Sequence, residues 1–188
     1  MAVIGDSYTS GAGAKPWPGL VWQRLAAEGI KVDAHVGGEG GSGYVTPGKK
    51  GTTFVQRVAG TVTGDDQLVV FWGTRNDRGT DPDVLAAAVH EALQQSIQRA
   101  PHARLLVIGP VWPSAPAPQE IVQVRDVVCE QARRAGATFV DPLEQGWLVS
   151  RPDLIQADGV HPNDAGQQVL ADKIVSLIKD QLAGPVSN

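Results

Sequence analysis

Short apolar segments alternate with helix-forming segments along the whole chain, and this alternation restricts the fold more than any other feature of the sequence. The clearest apolar segment is QLVVFW (67–72), a continuous run with β-branched and aromatic residues. Such a run is typical of a strand that is covered on both faces. The predicted strands are AVIG (2–5), IKVDAHV (30–36), QLVVFW (67–72), ARLLVIG (103–109) and ATFVD (137–141).

Helical patterns occupy the intervals between these strands. The segment 81–100 begins with an acidic N-cap residue and a proline, and its apolar residues fall on one face. Asn163 is the expected N-cap of the last helix. The predicted helices run from about Pro18 to Gly29, around TTFVQRVAG (52–60), over 81–100, from about Gln119 to Ala135 and over 163–182, and the final PVSN (185–188) is expected to fray.

Five apolar strands separated by helices indicate a parallel sheet with helices on both faces. The 188 residues suffice for one well-packed core, so we predict a single α/β domain over residues 1–188. Ligands of such folds bind outside the carboxyl ends of the strands. Ser7 and the later loops are therefore expected at one edge of the sheet; these loops are 37–50, 73–81, 110–119 and 142–162.

Charge and composition disfavour several classes of partner. A net charge of −4 argues against nucleic acid or an anionic membrane, and no apolar run reaches the ~18 residues of a membrane span. Asp6 interrupts the first apolar run, so the chain as given shows no secretion signal. We expect a cytoplasmic protein or a processed domain of an extracellular or cell-wall-acting protein. Cys129 is the only cysteine, so no intrachain disulfide can form, and its helical position predicts a small packed side chain.

Ser7 follows the first predicted strand at the start of a turn into a helix, a position from which a nucleophile could be presented. A serine hydroxyl needs a base to remove its proton. His161 is the best placed histidine, because it lies in a loop at the expected ligand edge, three residues after Asp158. One tight turn can set the carboxylate against the imidazole Nδ1–H and leave Nε2 free as a base.

Two alternatives exist for the Asp158 and His161 pair. The carboxylate could form a structural Asx turn that caps the last helix. The pair could also bind a metal ion, but no further cluster of His, Cys or Asp at ligand spacing accompanies it. We therefore predict no metal site.

Acyl transfer also needs hydrogen-bond donors for the oxyanion, and two loops at the same edge can supply them. GGEGGSGY (37–44) has five glycines in eight residues, as expected where backbone N–H groups approach a ligand. A flexible or phosphate-binding loop would share this composition, although the lysine of a nucleotide P-loop is missing. GTRND (73–77) follows the third strand and supplies Asn76, whose amide could donate to an oxyanion or hold the turn.

Four segments together resemble the SGNH (GDSL) hydrolase family in order, spacing and strand context, from residue 4 to about 180: GDSYTSG (5–11), GGEGGSG (37–43), RND (75–77) and DGVHPNDAG (158–166). The resemblance implies a flavodoxin-like three-layer α/β/α sandwich and a serine esterase that needs no metal or organic cofactor. Ser7 would be the nucleophile, with His161 and Asp158 completing the triad. The implied oxyanion donors are Asn76, the Ser7 N–H and the Gly41 N–H, with Gly40 as the alternative.

Two positions depart from the family pattern. Thr74 stands where the third block, Gly-x-Asn-Asp, has its glycine, and Gly73 comes one residue early. His35 and Val36 occupy the stretch in which the second block usually has an asparagine. Gly-x-Ser-x-Gly is absent around Ser7, which argues against the α/β-hydrolase fold.

We therefore predict an esterase that cleaves carboxylic esters of a small molecule or a glycan through an acyl-enzyme. No long apolar lid-like segment is present, which favours a short acyl group, such as acetyl, on a carbohydrate or another polar alcohol. Trp112, beside the prolines of WPSAPAP, is expected to line the substrate pocket or to belong to the core. The alternatives are a lipid acyl hydrolase of lysophospholipase or thioesterase type, and a non-catalytic glycan-binding domain that has kept the fold.

Overall fold

One parallel sheet lies at the centre of the computed structural model, which describes residues 1–183. The strands are β1 (Ala2–Gly5), β2 (His35–Gly38), β3 (Leu68–Trp72), β4 (Arg104–Ile108) and β5 (Thr138–Val140). They pair in the order β2-β1-β3-β4-β5. The strand order reverses at β1, and the crevice outside the carboxyl ends at such a reversal is the expected ligand site. The predicted fraying of 185–188 lies outside the described residues.

Helices cover both faces of the sheet and complete the three predicted layers. They are α1 (Ser7–Ser10), α2 (Trp17–Ala27), α3 (Phe54–Thr61), α4 (Pro82–Arg99), α5 (Gln119–Arg134) and α6 (Asp164–Ala183), with 3₁₀ turns at Arg75–Asp77 and Pro152–Leu154. Helices α2 and α6 share one core with Val3, Val70 and Trp72. Helices α3, α4 and α5 share the other core with Ile4 and Phe71. The α/β sandwich predicted from the alternating pattern is confirmed.

The residue pattern of β3 explains why it can lie between two helical layers. Every side chain from Leu68 to Trp72 is buried. Because successive side chains of a strand point to opposite faces, Val70 enters one core while Phe71 enters the other. A strand with apolar residues at every position is stable only where both faces are covered.

Helix boundaries follow the capping residues of the sequence. Asp81 accepts hydrogen bonds from the backbone N–H of Asp83 and Val84 at the start of α4, and Pro82 occupies the first helical position. Asn163 Oδ1 accepts from the Gly166 N–H at the start of α6. Both N-termini were predicted from these residues and are confirmed.

The second strand differs from its prediction. Residues 30–34 are not in a strand, and β2 begins at His35 and extends through Gly38. The pairing register explains the shift, because Ala2 at the start of β1 lies opposite His35. Residues 30–34 therefore lie before the first pair of the ladder. The glycine-rich loop consequently begins at Glu39, two residues later than predicted.

Two further expectations concern membrane-spanning helices and the position of Cys129. Among residues 1–183, no helix is long and apolar enough to cross a membrane. Cys129 lies on α5 and is half-buried. Its packing position agrees with the interpretation of this cysteine as a small filler.

Candidate active site

Ser7 lies at the carboxyl end of β1, where the strand order reverses. Gly5 ends the strand, and a Cβ atom there would lie 2.0 Å from Thr9 Oγ1 and 2.9 Å from the Trp72 carbonyl oxygen. Only glycine allows the first turn of α1 to come so close to β1 and β3. The Asp6 side chain caps this turn by accepting from the Tyr8 N–H at 2.9 Å. The sequence therefore fixes the Ser7 backbone tightly against the sheet.

Ser7, His161 and Asp158 form a continuous chain of hydrogen bonds. His161 Nδ1 lies 2.6 Å from Asp158 Oδ2, and His161 Nε2 lies 2.9 Å from Ser7 Oγ. With the Nδ1 proton directed at the carboxylate, Nε2 is left to accept the hydrogen bond of the Ser7 hydroxyl. The structure thus brings Ser7 together with His161, which lies 154 positions later in the sequence, and with the neighbouring Asp158.

The Asp158 carboxylate is held in its ionised form. Hydrogen bonds from the His161 ring and from the backbone N–H groups of His161 and Val160 lower the pKa of Asp158 to about 2. Both backbone N–H groups donate to Oδ1 of Asp158, and these two hydrogen bonds close the tight turn that was one interpretation of this motif. The carboxylate therefore both shapes the turn and orients the imidazole.

Long-range hydrogen bonds dock the segment 156–164 onto the Ser7 side of the site. The Tyr8 hydroxyl donates to the Val160 carbonyl at 2.6 Å. Gln156 Nε2 donates to the carbonyls of Ala12 and Pro162 at 3.1 and 2.9 Å. The position of the imidazole thus depends on these few polar contacts.

Asp77, in the third sequence block (75–77), fixes the position of the glycine-rich loop (37–44) through hydrogen bonds. The buried Asp77 carboxylate accepts from the backbone N–H groups of Tyr44 at 2.7 Å, Thr46 at 2.9 Å and Val45 at 3.2 Å. A Cβ atom on Gly43 would lie 2.3 Å from the Asp77 oxygens, so glycine is required at that position. Burial raises the pKa of Asp77, and the three backbone donors oppose this effect.

A buried ion pair, which the sequence analysis missed, supports the base of the same loop. Arg57 Nη2 lies 2.6 Å from Glu39 Oε2, and Arg57 Nη1 donates to the Gly37 carbonyl at 2.7 Å. Glu39 also accepts from the Thr52 hydroxyl and the Lys50 N–H, each at 2.5 Å. Glu39 lies inside the glycine run and Arg57 lies on α3, so only the fold shows that they meet.

Candidate oxyanion donors surround Ser7. Within residues 1–183, the backbone N–H groups of Ser7, Gly40 and Gly41 donate to no protein acceptor. Gly41 has φ of +80°, in the left-handed region that favours glycine. Asn76 Nδ2 donates to the Ser42 carbonyl at 2.9 Å and makes a longer contact of 3.4 Å to Asp6 Oδ2. Both predicted loops therefore bring donors to the serine.

Asp6 lies beneath the site and is only 2% exposed. Burial raises its pKa to about 6, although the Tyr8 N–H and the positive charge of Arg75 oppose this effect. The carboxyl group contacts Asn76 and the Tyr8 N–H, and it makes no hydrogen bond to Ser7 or His161 among the described residues. Asp6 therefore fixes the loops rather than taking part in the chain of hydrogen bonds.

Thr74, which replaces the family glycine, adopts a strained backbone. Its φ is +115°, a region that β-branched residues rarely adopt, and its hydroxyl is buried with no partner within residues 1–183. Gly73 before it has φ of +133°. The loop therefore keeps the backbone path that a glycine would allow, with threonine in place of glycine.

A cavity of about 380 Å³ opens at Ser7 and His161. The residues that line it are Ser7, Ser10, Ala12, Gly40, Gly41, Lys49, Arg75, Asn76, Val160 and His161. Trp112 is not among them. It is half-buried, its ring lies 4.3 Å from the Arg75 guanidinium, and its indole N–H donates to the Ser114 hydroxyl. Trp112 therefore packs on Arg75, does not line the cavity and belongs to neither core cluster of the described residues; Arg75, which the sequence analysis did not single out, lines the cavity instead.

No group of three or more His, Cys, Asp or Glu residues within 1–183 is arranged to hold a metal ion. Asp158 and His161 are instead hydrogen-bonded to each other and to Ser7. A Ser-His-Asp arrangement at the carboxyl edge of a parallel α/β sheet can activate a serine for acyl transfer.

Known proteins resemble this chain along nearly its whole length. Residues 3–169 match the GDSL-like lipase/acylhydrolase family. A GDSL lipase of Mycobacterium tuberculosis is 50% identical over 98% of this chain and 83% of its own. The chain therefore belongs to the GDSL-like lipase/acylhydrolase family, whose members hydrolyse esters.

Solved structures share the fold. The esterase EstA of Pseudoalteromonas sp. has a TM-score of 0.78 at 16% identity, covering 97% of this chain and 98% of its own. A family 3 carbohydrate esterase of Talaromyces cellulolyticus has a TM-score of 0.70 at 19% identity, covering 98% of each chain.

Proposed function

We propose that the protein hydrolyses carboxylic esters by acylation and deacylation of Ser7. The observation that supports this most strongly is the hydrogen-bond chain from Ser7 Oγ through His161 to Asp158. A serine is a useful nucleophile only when a base is within hydrogen-bond reach, and the 2.9 Å distance to His161 Nε2 meets that requirement. Ser7, His161 and Asp158 are the proposed catalytic residues.

Acylation begins when Ser7 Oγ attacks the ester carbonyl carbon and His161 Nε2 takes the hydroxyl proton. The ionised Asp158 stabilises the imidazolium and keeps the ring in the productive orientation. The carbonyl oxygen becomes an oxyanion, which would accept from the N–H groups of Ser7 and Gly41. The Asn76 amide would join them by giving up its long contact to Asp6.

Collapse of the tetrahedral intermediate breaks the bond to the alcohol, and the imidazolium protonates the leaving oxygen. Water then enters, gives a proton to His161 Nε2 and attacks the acyl carbon. The second intermediate releases the carboxylic acid when Ser7 Oγ leaves and regains the proton from His161. The half-exposed position of His161 leaves it reachable by the incoming water.

The cavity supports a short acyl group on a polar alcohol as the substrate. Its walls are glycines and polar or charged side chains, with apolar side chains only from Ala12 and Val160 among the described lining residues. No leucine, isoleucine, phenylalanine or tryptophan is among these lining residues, so a long alkyl chain would have no large hydrophobic side chain to pack against there. The same fold serves a carbohydrate esterase of Talaromyces cellulolyticus, which suits a glycan ester.

Lipid ester hydrolysis is the second candidate function. The relative from Mycobacterium tuberculosis, half identical to this chain, is described as a lipase. In this case the acyl chain would pack on the small apolar side chains and on the aliphatic stems of Lys49 and Arg75, and would extend past the rim of the cavity.

A series of 4-nitrophenyl esters from acetyl to dodecanoyl tests the proposal, with acetylated oligosaccharides assayed in parallel. Ser7→Ala is the matched control, since it removes only the hydroxyl. We expect hydrolysis that is fastest for acetyl to butyryl esters and absent in the control. Rates that rise steadily to dodecanoyl would favour the lipid candidate. Glycan binding without turnover would instead identify a non-catalytic domain.

A further inference from the structure

Two cationic side chains, Arg75 and Lys49, line the cavity at Ser7, and no carboxylate does so among the described lining residues. This is notable because the chain as a whole carries a net charge of −4. The local charge is therefore opposite in sign to that of the molecule. A cleft lined by one sign of charge favours a ligand of the other sign.

Arg75 lies between the cavity at Ser7 and a small neighbouring cavity that it shares with Asp6 and Tyr8. Its Nη1 is buried and has no hydrogen-bond partner within residues 1–183. The guanidinium is held in place by its position 4.3 Å from the centre of the Trp112 ring. A buried, unpartnered donor on a charged group is unfavourable. Arg75 also lines the cavity at Ser7, so an anion bound there would lie next to its positive charge.

Lys49 approaches the same cavity from a different loop. Its backbone N–H donates to the Gly40 carbonyl at 3.0 Å, which ties this residue to the glycine-rich loop. Its Cδ and Cε atoms lie 3.7 Å from the position that a Gly40 Cβ would occupy. The side chain therefore runs along the loop that carries the proposed oxyanion donors. Arg75 and Lys49 thus present positive charge from the loops after β3 and β2.

The carboxylates near the site do not line the cavity. Asp6 is buried beneath Ser7 and contacts the Tyr8 N–H and Asn76. Asp158 lies on the far side of the His161 ring from Ser7. Both reduce the local positive field, and neither is among the described residues that line the cavity at Ser7.

We propose that the substrate ester carries a second group that is anionic, such as a carboxylate, phosphate or sulfate, and that Arg75 and Lys49 bind it. This inference rests on the proposed ester hydrolysis at Ser7. Arg75 can bind two oxygens of such a group through its planar guanidinium, and Lys49 adds a mobile point charge. The two residues therefore determine substrate choice without taking part in bond breaking.

Matched ester pairs test the inference. On the acyl side, 4-nitrophenyl hydrogen adipate is compared with its neutral methyl ester. On the alcohol side, 4-acetoxybenzoate is compared with 4-acetoxybenzamide. We expect kcat/KM to be about tenfold higher for the anionic member of at least one pair. The pair that shows the preference identifies the side of the substrate that carries the anion. Added salt should weaken this preference.

Arg75→Gln should lower the ratio of kcat/KM for the anionic ester to that for the neutral ester about tenfold, mainly through KM. Lys49 is exposed, so Lys49→Gln should lower the same ratio only about threefold. Arg75→Lys keeps the charge and should restore part of the ratio. Lys50→Gln is the control, because Lys50 is the next residue but does not line the cavity. If Arg75→Gln fails to fold, Arg75→Lys and Lys49→Gln still provide the test.

Three outcomes would overturn the inference. Equal rates for both members of both pairs would exclude an anion preference while leaving ester hydrolysis intact. An equal effect of Lys50→Gln and Lys49→Gln would show a general field instead of a binding site. Hydrolysis of none of the esters by the wild-type enzyme would refute the proposed function together with this inference.

Discussion

The two sides of the candidate site are built in different ways. Ser7 is only 8% exposed and follows directly from β1, with Gly5 and Asp6 packed against β3 and its loop. The side chains of His161 and Asp158 are 26% and 46% exposed and lie in a loop outside the sheet. The nucleophile therefore takes its position from the core, whereas the base takes its position from polar contacts at the surface.

This difference shows where the geometry of the site can be changed without unfolding the protein. Substitutions on the Ser7 side disturb close packing, where even one added carbon atom is excluded at Gly5. Substitutions on the His161 side remove hydrogen bonds that each contribute about 1 kcal/mol. The base loop can therefore be loosened while the sheet and its helices remain folded.

The largest expected effect on kcat comes from removing either the nucleophile or the base, because the two act as one unit in catalysis. Ser7→Ala and His161→Ala should each abolish detectable turnover, with losses on the order of 10⁶ in kcat, and the double variant should be no worse. Steady-state kinetics with circular dichroism checks this. A folded Ser7→Ala protein with more than about a tenth of wild-type activity would exclude Ser7 as the nucleophile.

Asp158→Asn should cost about 10⁴ in kcat, because the amide can donate to Nδ1 and favour the tautomer whose Nε2 already carries a proton. The amide oxygen can still accept from the Val160 and His161 N–H groups, so the turn should stay closed. Asp153→Asn, an exposed position in the preceding 3₁₀ turn Pro152–Leu154, is the control and should leave kcat unchanged. An equal loss in both variants would point to general damage of the loop.

The Asp6→Asn variant tests the buried Ser7 side of the site through the pH dependence of the free energy of unfolding. In the folded state burial raises the pKa of Asp6 from its ordinary 3.8 to about 6. Between these values the folded protein holds a proton that the unfolded chain has released, so this group lowers stability as the pH rises. The free energy of unfolding of Asp6→Asn, relative to wild type, should therefore increase by about 2 kcal/mol from pH 4 to pH 7.

Urea unfolding at several pH values measures this change. Asp77 is present in both proteins, so its own titration cancels in the comparison. A difference between the two proteins that stays constant with pH would show that Asp6 is not perturbed by burial.

Tyr8→Phe gives the smallest expected effect and tests the connection between the two sides. It removes the hydroxyl that donates to the Val160 carbonyl but keeps the ring that packs on Trp72. We expect kcat to fall about fivefold to tenfold while stability falls by about 1 kcal/mol. An unchanged kcat with reduced thermal stability would show that Tyr8 supports packing and does not position the base.

Much of the architecture could be predicted from local sequence. The fully apolar run 67–72 predicts a strand that is buried on both faces. The capping residues Asp81 and Asn163 predict where two of the helices begin. The start of β2 could not be predicted, because it depends on which residue of β1 pairs with His35. Pairing register is a property of two distant segments, so a local pattern such as IKVDAHV cannot reveal it.

The same limit applies to the site. The spacing of Asp158 and His161 permits the observed turn, so these residues could be selected in advance. The Glu39–Arg57 ion pair and the contact of Arg75 with Trp112 join separate loops and helices, and no sequence pattern indicates them. Trp112 was correctly expected near this edge, but its side chain packs behind Arg75 instead of lining the cavity.

The packing of α2 against α6 has a consequence for synthesis of the chain. The apolar side of α2 is made within the first 27 residues, but most of its covering comes from α6, which ends at Ala183. On the ribosome, Trp17, Val21 and Leu25 are therefore synthesised well before the helix that covers them. Nascent chains of this protein should depend on chaperones until α6 has packed against α2, because the apolar side of α2 is exposed before that. Premature termination shortly before residue 164 should yield aggregates instead of a soluble, inactive fragment.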